Sequence, residues 1–579
     1  MSRDFAQIGI VGLGTMGAGL AEVFARAGLD VIGVEVDEEA ARRARTRLAA
    51  SLERAGAADA LERITIGTSL TVLTGADLIV EAVPERLELK QRVFAELGKV
   101  ARSDAVLATG ASALSVTQLS VAAAHPHRVL GLHFANPASD APLVEVVRTV
   151  FTDSDVVDDA VALVERVGKT ALRVGDRAGL ITAALLFAYL NQAVSFVESG
   201  YATRDDVDAA MRLGCGLPSG PLEVVDRVGL DTMFDVLTAL YAQSGDRRHA
   251  PTPLLKQMIA GGYLGVKSGR GFYRHADGAA VADAALTGAD AGVVRTVQKV
   301  GVVGSGTMAI GIVEVFAKAG YDVRYVARSD AKVAAVSVAL TKSLDRAVSK
   351  GKLAEAERDA VLTRVTGSAR LDDLADVDLV VEAVIEDLTV KRELFGTLDA
   401  VCKPGTVLAT TTSSLPVIEC ATATSRPQDV VGLHFFNPAP VMRLVEIVST
   451  VATAPDVLAT ARAVTNKVRK HPVDCHDRAG FIVNALLFPY LNDAVAMLDA
   501  HYASADEIDT AVTTGFGYPM GPFALLDVVG LDVSLAIEKE LCSEFHEPGF
   551  SPSPLLEHLV AAGYLGRKTG RGFRDYARR

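Results

Sequence analysis

Two histidines stand in almost the same surroundings. His133 closes the run "RVLGLH" and is followed by Phe134-Ala135-Asn136-Pro137; His434 closes "VVGLH" and is followed by Phe435-Phe436-Asn437-Pro438. Twelve residues after each comes an acid inside a β-branched run, Glu145 in "LVEVV" and Glu446 in "LVEIV". Apolar neighbours place these carboxylates in the interior, where a carboxylate needs a partner. Histidine is the obvious one, because a carboxylate fixes its tautomer and raises its basicity, which makes a general acid–base pair. Read alone, either histidine also suits a packed core. Ser112 and Ser413 each lie 21 residues before their histidine, after the strand-like runs "AVLAT" and "TVLAT". A hydroxyl there can hydrogen-bond a substrate oxygen. A nucleophilic serine fits less well, since neither has the G-x-S-x-G elbow.

Such groups need a scaffold that brings strand ends together. The first part of each half alternates β-branched runs (Ile8–Val11, Val31–Val36, Leu78–Val83) with Ala-rich amphipathic segments such as Met16–Ala27. That alternation predicts a parallel sheet covered by helices, and ligands bind such sheets beyond the C-terminal strand ends. After Arg177 and Arg478 the strands stop and helical patterns follow, with turn signals at Gly220-Pro221 and Gly521-Pro522.

The first strand runs into Gly12-Leu13-Gly14-Thr15-Met16-Gly17 and a helix. In that context the glycines are a dinucleotide fingerprint. Gly12 allows the tight turn, Gly14 lets backbone approach a pyrophosphate, and Gly17 lets helix and strand pack closely. Glu35, 21 positions after Gly14, suits a ribose 2′-hydroxyl and favours NAD over NADP. The second loop, Gly304-Ser305-Gly306-Thr307-Met308-Ala309, ends in alanine, and its acidic position is Ala327 followed by Arg328. Arg328 reads either as a contact to a 2′-phosphate, so that this half takes NADP, or as a solvated surface charge.

The chain is written twice. "LIVEAVPE" (78–85) returns as "LVVEAVIE" (379–386), and "GYLGVKSGRGF" (262–272) as "GYLGRKTGRGF" (563–573). The second copy trails by 292 positions at the glycines and by 301 from the "VEAV" segment on, so nine extra residues lie between. The reading gives four domains and a linker: 1–176 and 299–477 as Rossmann-type α/β dinucleotide-binding domains, 177–274 and 478–579 as all-α domains, and an Ala/Gly/Asp-rich linker at 275–298.

The 579 residues are 50% hydrophobic and 22% charged, a globular balance. A net charge of −13, with no basic stripe, argues against nucleic acid and anionic membrane surfaces. Leu180–Leu190 and Phe481–Leu491 are too short to span a bilayer and read as buried helices. Five scattered cysteines without a C-x-x-C pair, and a start without a signal-peptide core, suggest reduced thiols, no metal site and a cytoplasmic protein.

Each copy resembles a complete short-chain L-3-hydroxyacyl-CoA dehydrogenase of the 3-hydroxybutyryl-CoA type. Copy two is the closer, through "TSSL" (412–415), "GLHFFNPAPVMRLVEIV" (432–448), "GFIVNALLFPYLNDA" (480–494) and "GYPMGPFALLDVVGLD" (517–532). The resemblance implies that His434 takes the 3-hydroxyl proton, that Glu446 orients it, and that Ser413 and Asn484 hold the substrate. Glu386, Lys391 and Asn437 match family cofactor contacts. In copy one the matching positions are His133, Glu145, Ser112, Glu85, Lys90 and Asn136. The implied reaction is reversible hydride transfer between a (S)-3-hydroxyacyl-CoA and NAD(P). The helical parts of this family commonly pair, which implies an intramolecular pseudo-dimer or a homo-oligomer. Copy one departs at Ala183, where copy two has Asn484, and at Ala135, where copy two has Phe436. It therefore either catalyses poorly or prefers a different acyl chain. Two alternatives stay open: a dehydrogenase of free 3-hydroxy acids or sugar acids, and a non-catalytic nucleotide-binding role for copy one.

Overall fold

The computed structural model describes residues 3–134, 138–276, 279–281 and 293–576. Copy one begins with eight strands: β1 (Gln7–Val11), β2 (Asp30–Val34), β3 (Ile64–Gly67), β4 (Leu78–Glu81), β5 (Val106–Thr109), β6 (Val129–Phe134), β7 (Leu143–Arg148) and β8 (Thr170–Gly175). They form one sheet in the order β3-β2-β1-β4-β5-β6-β7-β8. Leu78–Glu81 and Val106–Thr109 are buried throughout, as strands with helices on both faces must be. The order reverses between β1 and β4, and a crevice opens there at the strand ends.

The sheet is not wholly parallel. β7 runs antiparallel to β6, whereas every other neighbouring pair of this sheet is parallel. Only eight residues separate β6 from β7. A parallel return needs a crossover of a dozen or more residues, so this connection can only fold back.

After β9 (Arg274–Ala276) and β10 (Ala279–Val281), copy two repeats the plan. Its strands are β11 (Lys299–Val303), β12 (Asp322–Val326), β13 (Val365–Ser368), β14 (Leu379–Glu382), β15 (Val407–Thr410), β16 (Val430–Phe435), β17 (Leu444–Ser449) and β18 (His471–His476), ordered β13-β12-β11-β14-β15-β16-β17-β18. The nine extra residues lengthen the helix Glu38–Arg54 to Asp330–Ser349 and turn the short Ala58–Arg63 segment into the helix Glu355–Thr363.

The stretch 275–298, expected as a linker, carries some structure of its own. Its start belongs to the antiparallel pair β9–β10. Near its end Arg295 bonds Asp456 and Asp429, both at 2.8 Å, which docks the chain onto copy two. Residues 277–278 and 282–292 of that stretch lie outside the described residues.

The two apolar stretches form the helices Thr182–Glu198 and Val483–Asp499, which pack against each other across the copies. Gln192 donates to the Ala485 carbonyl at 2.9 Å, and the Tyr189 and Tyr490 rings lie 6.1 Å apart. Further bonds join the copies: the Tyr201 hydroxyl to the His476 carbonyl, the Tyr502 hydroxyl to the Gly175 carbonyl, and Arg248 to Asp493 at 2.9 Å. One face of each sheet has its own core, while a third core runs through both helical halves. Among the described residues, no helix is long and apolar enough to cross a membrane.

Candidate active sites

The histidine and its acid are cross-strand neighbours. In the antiparallel pair β6–β7, His133 sits opposite Glu145; in β16–β17, His434 sits opposite Glu446. A twelve-residue separation in sequence thus becomes a direct contact. His133 Nδ1 lies 2.8 Å from Glu145 Oε2, and His434 Nδ1 lies 2.6 Å from Glu446 Oε2. Both acids are fully buried.

The other carboxylate oxygen is held by backbone. Glu145 Oε1 accepts from the amides of Ile181 (2.9 Å) and Thr182 (3.2 Å); Glu446 Oε1 accepts from those of Ile482 (3.0 Å) and Val483 (2.9 Å). These amides lie where the first helix of each helical domain begins. Leu180 and Phe481, the residues just before, have φ of 53° and 50°. That left-handed conformation costs an ordinary residue about 1–2 kcal/mol. Here it turns the chain so that successive amides meet the buried acid. Burial raises the Glu145 carboxyl, but hydrogen bonds from His133, Thr182 and Ile181 outweigh it and hold the group below the ordinary carboxylate range. An imidazole anchored this way at Nδ1 leaves Nε2 to accept and return a proton.

The nucleotide ends lie on the same edge of each sheet. A Cβ at Gly17 would fall 1.8 Å from the Gly12 carbonyl oxygen, so no side chain fits there. In copy two Ala309 is accommodated with Gly304 at φ 144°, against 87° at Gly12. Open space lies over Gly14 and Gly306, which begin the helices Thr15–Arg26 and Thr307–Lys318, and no side chain caps either N-terminus. These free amides suit a pyrophosphate, so the loops fit NAD. Glu35 accepts from the Leu13 amide at 2.7 Å, which aims it at the loop. In copy two Ala327 is buried in its place and Arg328 is exposed.

Glu85 and Glu386 link this edge to the serines. Glu85 Oε1 accepts from the Ser112 amide at 2.8 Å, and Glu386 Oε1 from the Ser413 amide at 2.6 Å. Lys90 and Lys391 approach these acids at 3.4 and 3.3 Å. Their closer partners escaped the sequence reading: Glu81 and Glu382, both at 2.8 Å and buried, each with a threonine hydroxyl (Thr109, Thr410) on its other oxygen. Each is the acid of its "VEAV" segment, where strand periodicity alone could not tell a charged pair from a core position.

In copy one, Met16, Glu85, Ser112, His133, Glu145 and Ala183 line a single cavity of about 730 Å³. Gly12, Gly14, Gly17 and Glu35 lie beyond its lining. Asn136 falls outside the described residues. In copy two Asn484 donates to the Ser413 carbonyl at 3.1 Å. Met308 packs on the sheet core, and Asn437 is exposed just past β16. Lys342 and Lys352, in the helical insert of copy two, are exposed.

Comparison with known proteins agrees with this layout. The family model described as "3-hydroxyacyl-CoA dehydrogenase, NAD binding domain" matches residues 7–177 and 299–478, and that of the "3-hydroxyacyl-CoA dehydrogenase, C-terminal domain" matches 179–275 and 480–576. The 3-hydroxybutyryl-CoA dehydrogenase of Mycobacterium tuberculosis (strain ATCC 25618 / H37Rv) is 48% identical over 284 residues, covering 48% of this chain and 99% of that protein. The enzyme of the same name from Clostridioides difficile is 43% identical over 279 residues, covering 48% of this chain and 99% of its own length. The crystal structure of 3-hydroxybutyryl-CoA dehydrogenase from Escherichia coli K12 covers 97% of this chain and all of its own, at 25% identity and a TM-score of 0.67.

Proposed function

Because the chain belongs to the 3-hydroxyacyl-CoA dehydrogenase family, with both domains of the family present twice, we infer that it carries two working sites on one chain. It is an NAD-dependent oxidoreductase that interconverts 3-hydroxyacyl-CoA and 3-oxoacyl-CoA. The observation that carries two sites is the His–Glu cross-strand pair, present in both copies at the sheet edge that bears the glycine loop.

When bound, NAD supplies the two-electron acceptor at its nicotinamide ring. The chain supplies position and one proton transfer. His133 and His434 take the proton of the 3-hydroxyl as C3 is oxidised, and return it in the reverse direction. Glu145 and Glu446 keep each ring in the productive tautomer and stabilise the imidazolium. Ser112 and Ser413 hold the substrate oxygen, and Asn484 supports Ser413 in copy two. Glu85, Lys90, Glu386 and Lys391 brace the cofactor side, joined by Asn136 and Asn437. Site two accepts NADP as well, because Ala327 replaces the acid that would repel a 2′-phosphate and the cationic Arg328 follows it.

The four-carbon 3-hydroxybutyryl thioester is the reference substrate, after the activity named for the relatives above. The packed helices of the two copies form an intramolecular pseudo-dimer. The free cysteines suit a reducing compartment such as the cytoplasm.

The test is reduction of acetoacetyl-CoA by the whole chain, followed at 340 nm with NADH and NADPH in parallel. The wild type should turn over. His133→Ala and His434→Ala should each abolish one component, a loss of about 10²–10⁴-fold at that site, and the double variant should lose both. A His133→Ala chain with undiminished rate would remove copy one from catalysis.

A further inference from the structure

The cavity of site one does not end within copy one. Part of its wall is Gly515, Phe516 and Tyr518, contributed by copy two. The helix Ala505–Gly515 ends against this site: a Cβ on Gly515 would come 3.2 Å from Leu143 and 3.5 Å from Thr182, beside the Glu145 that holds His133. Gly517 then turns the chain at φ 67°, and the Phe516 and Tyr518 rings lie 5.4 Å apart. Behind Tyr518 is a second chamber of about 90 Å³, lined by Tyr189, Met211, Cys215, Tyr490 and their neighbours. Burial pushes the Cys215 thiol up to about 12, so it presents a neutral wall. The Tyr189 and Tyr490 hydroxyls are buried without a hydrogen-bond partner.

The reciprocal contact at site two is different. The helix Arg204–Cys215 of copy one ends there, but Gly214 meets Leu444, Val483 and Phe436, at 2.9, 3.0 and 3.5 Å from a built Cβ. Phe436 lies 4.5 Å, ring to ring, from His434 itself. The counterparts of Phe516 and Tyr518 in copy one are Cys215 and Leu217. At site two, then, Phe436 stands between its own His434 and Gly214 of copy one. Site one has Ala135 and Ala183 at the positions of Phe436 and Asn484, and the aromatic residues that line its cavity, Phe516 and Tyr518, come from the other copy.

We propose that the two sites divide 3-hydroxyacyl-CoA substrates by chain length, site one taking acyl chains longer than four carbons whose distal methylenes lie on Phe516 and Tyr518 of copy two, and site two confined to the four-carbon chain. This rests on the reading that both copies catalyse the reaction. Each methylene buried against that wall strengthens transition-state binding roughly fourfold. Phe516 and Tyr518 touch the distal acyl chain and set specificity, and the chamber behind Tyr518 gives the ring room to move as the chain lengthens.

The experiment uses full-length chains with one site silenced. His434→Ala reports on site one and His133→Ala on site two, each assayed by kcat/KM for 3-oxoacyl-CoA of four, six and eight carbons with NADH. The eight-to-four-carbon ratio should exceed one by about tenfold or more in His434→Ala and fall below one in His133→Ala. Adding Phe516→Leu or Tyr518→Leu to His434→Ala should lower that ratio about tenfold, while the same change in His133→Ala should leave its ratio unmoved. Two variants are used so that one failing to fold does not end the test. Turnover with the same chain-length profile at both sites, or a site-one ratio indifferent to both substitutions, overturns the division while leaving the functional reading intact. Absence of turnover by His434→Ala with every chain length overturns both.

Discussion

Thr182 donates its hydroxyl to Glu145 Oε2 at 2.6 Å, the same oxygen that meets His133 Nδ1 at 2.8 Å. In copy two the residue is Val483, and Glu446 Oε2 meets His434 at 2.6 Å. One acid is shared between two partners, while its counterpart has no hydroxyl to share with. The hydroxyl is among the groups that hold Glu145 below the ordinary carboxylate range against its burial. A carboxylate so lowered contributes stability that is present above its ordinary pKa and is lost as pH falls through the lowered value. Thr182→Val weakens that protection, so Glu145 takes up its proton at higher pH. In a His434→Ala chain, the acid limb of kcat should move to higher pH. A pH–rate profile from pH 3 to 7 checks it, and an unmoved limb would assign Thr182 to packing alone.

Asn484 ties its side chain to the Ser413 carbonyl, and Ala183 has no such group. Asn484→Ala should cost site two about 10–100-fold in kcat/KM, measured on acetoacetyl-CoA in a His133→Ala chain. The Michaelis constant for NADH should change little if Asn484 acts on the substrate through Ser413, as proposed above.

Glu35 lies against the first glycine loop, whereas the second loop has Arg328 and Ala327 there. A charged group bonded to a ribose hydroxyl or phosphate contributes about 1.5–3 kcal/mol, roughly tenfold or more in affinity. Glu35→Ala should therefore raise the NADH Michaelis constant about tenfold in a His434→Ala chain. Arg328→Ala should raise that for NADPH about tenfold in a His133→Ala chain, with NADH within about twofold. If Arg328→Ala leaves NADPH use unchanged, Arg328 is a solvated surface charge.

Glu538 is buried on the helix Leu531–Phe545 with neither oxygen hydrogen-bonded. Burial, and then the nearby Asp493 charge, push its carboxyl from 4.5 up to about 8. Between those values the folded chain holds a proton that the unfolded chain releases. Stability therefore declines as pH rises from about 4.5, and the full penalty is reached above about 8. Copy one has Leu237 at this position. Glu538→Leu should accordingly stabilise the chain by a few kcal/mol more at pH 8.5 than at pH 5, on the order expected for such a shift. Urea midpoints at the two pH values measure it, and equal gains at both would show the carboxyl to be ordinary.

The glycine loops, the duplication and the two His–Glu sets were legible in the sequence because each is carried by local spacing. A glycine loop is a property of six consecutive residues. Strand and helix periodicities repeat within a few residues as well, and the duplication prints every such signal twice. What no spacing contains is which strands become neighbours. The antiparallel return of β7 set His133 opposite Glu145, and it followed from a connection too short for a crossover. Glu81 and Lys90 are nine positions apart, on a strand and on the helix after it, and only the fold brings them together at 2.8 Å. Furthest from the sequence is the wall of site one. Phe516 and Tyr518 lie almost four hundred positions from His133, in the other copy. They reach it because each helical half exposes an apolar helix that it cannot bury alone, and packing those helices together carries residues of one copy into the cavity of the other. The sequence by itself thus determined what each copy is built to do, and the burial of two apolar faces against each other decided what surrounds each site.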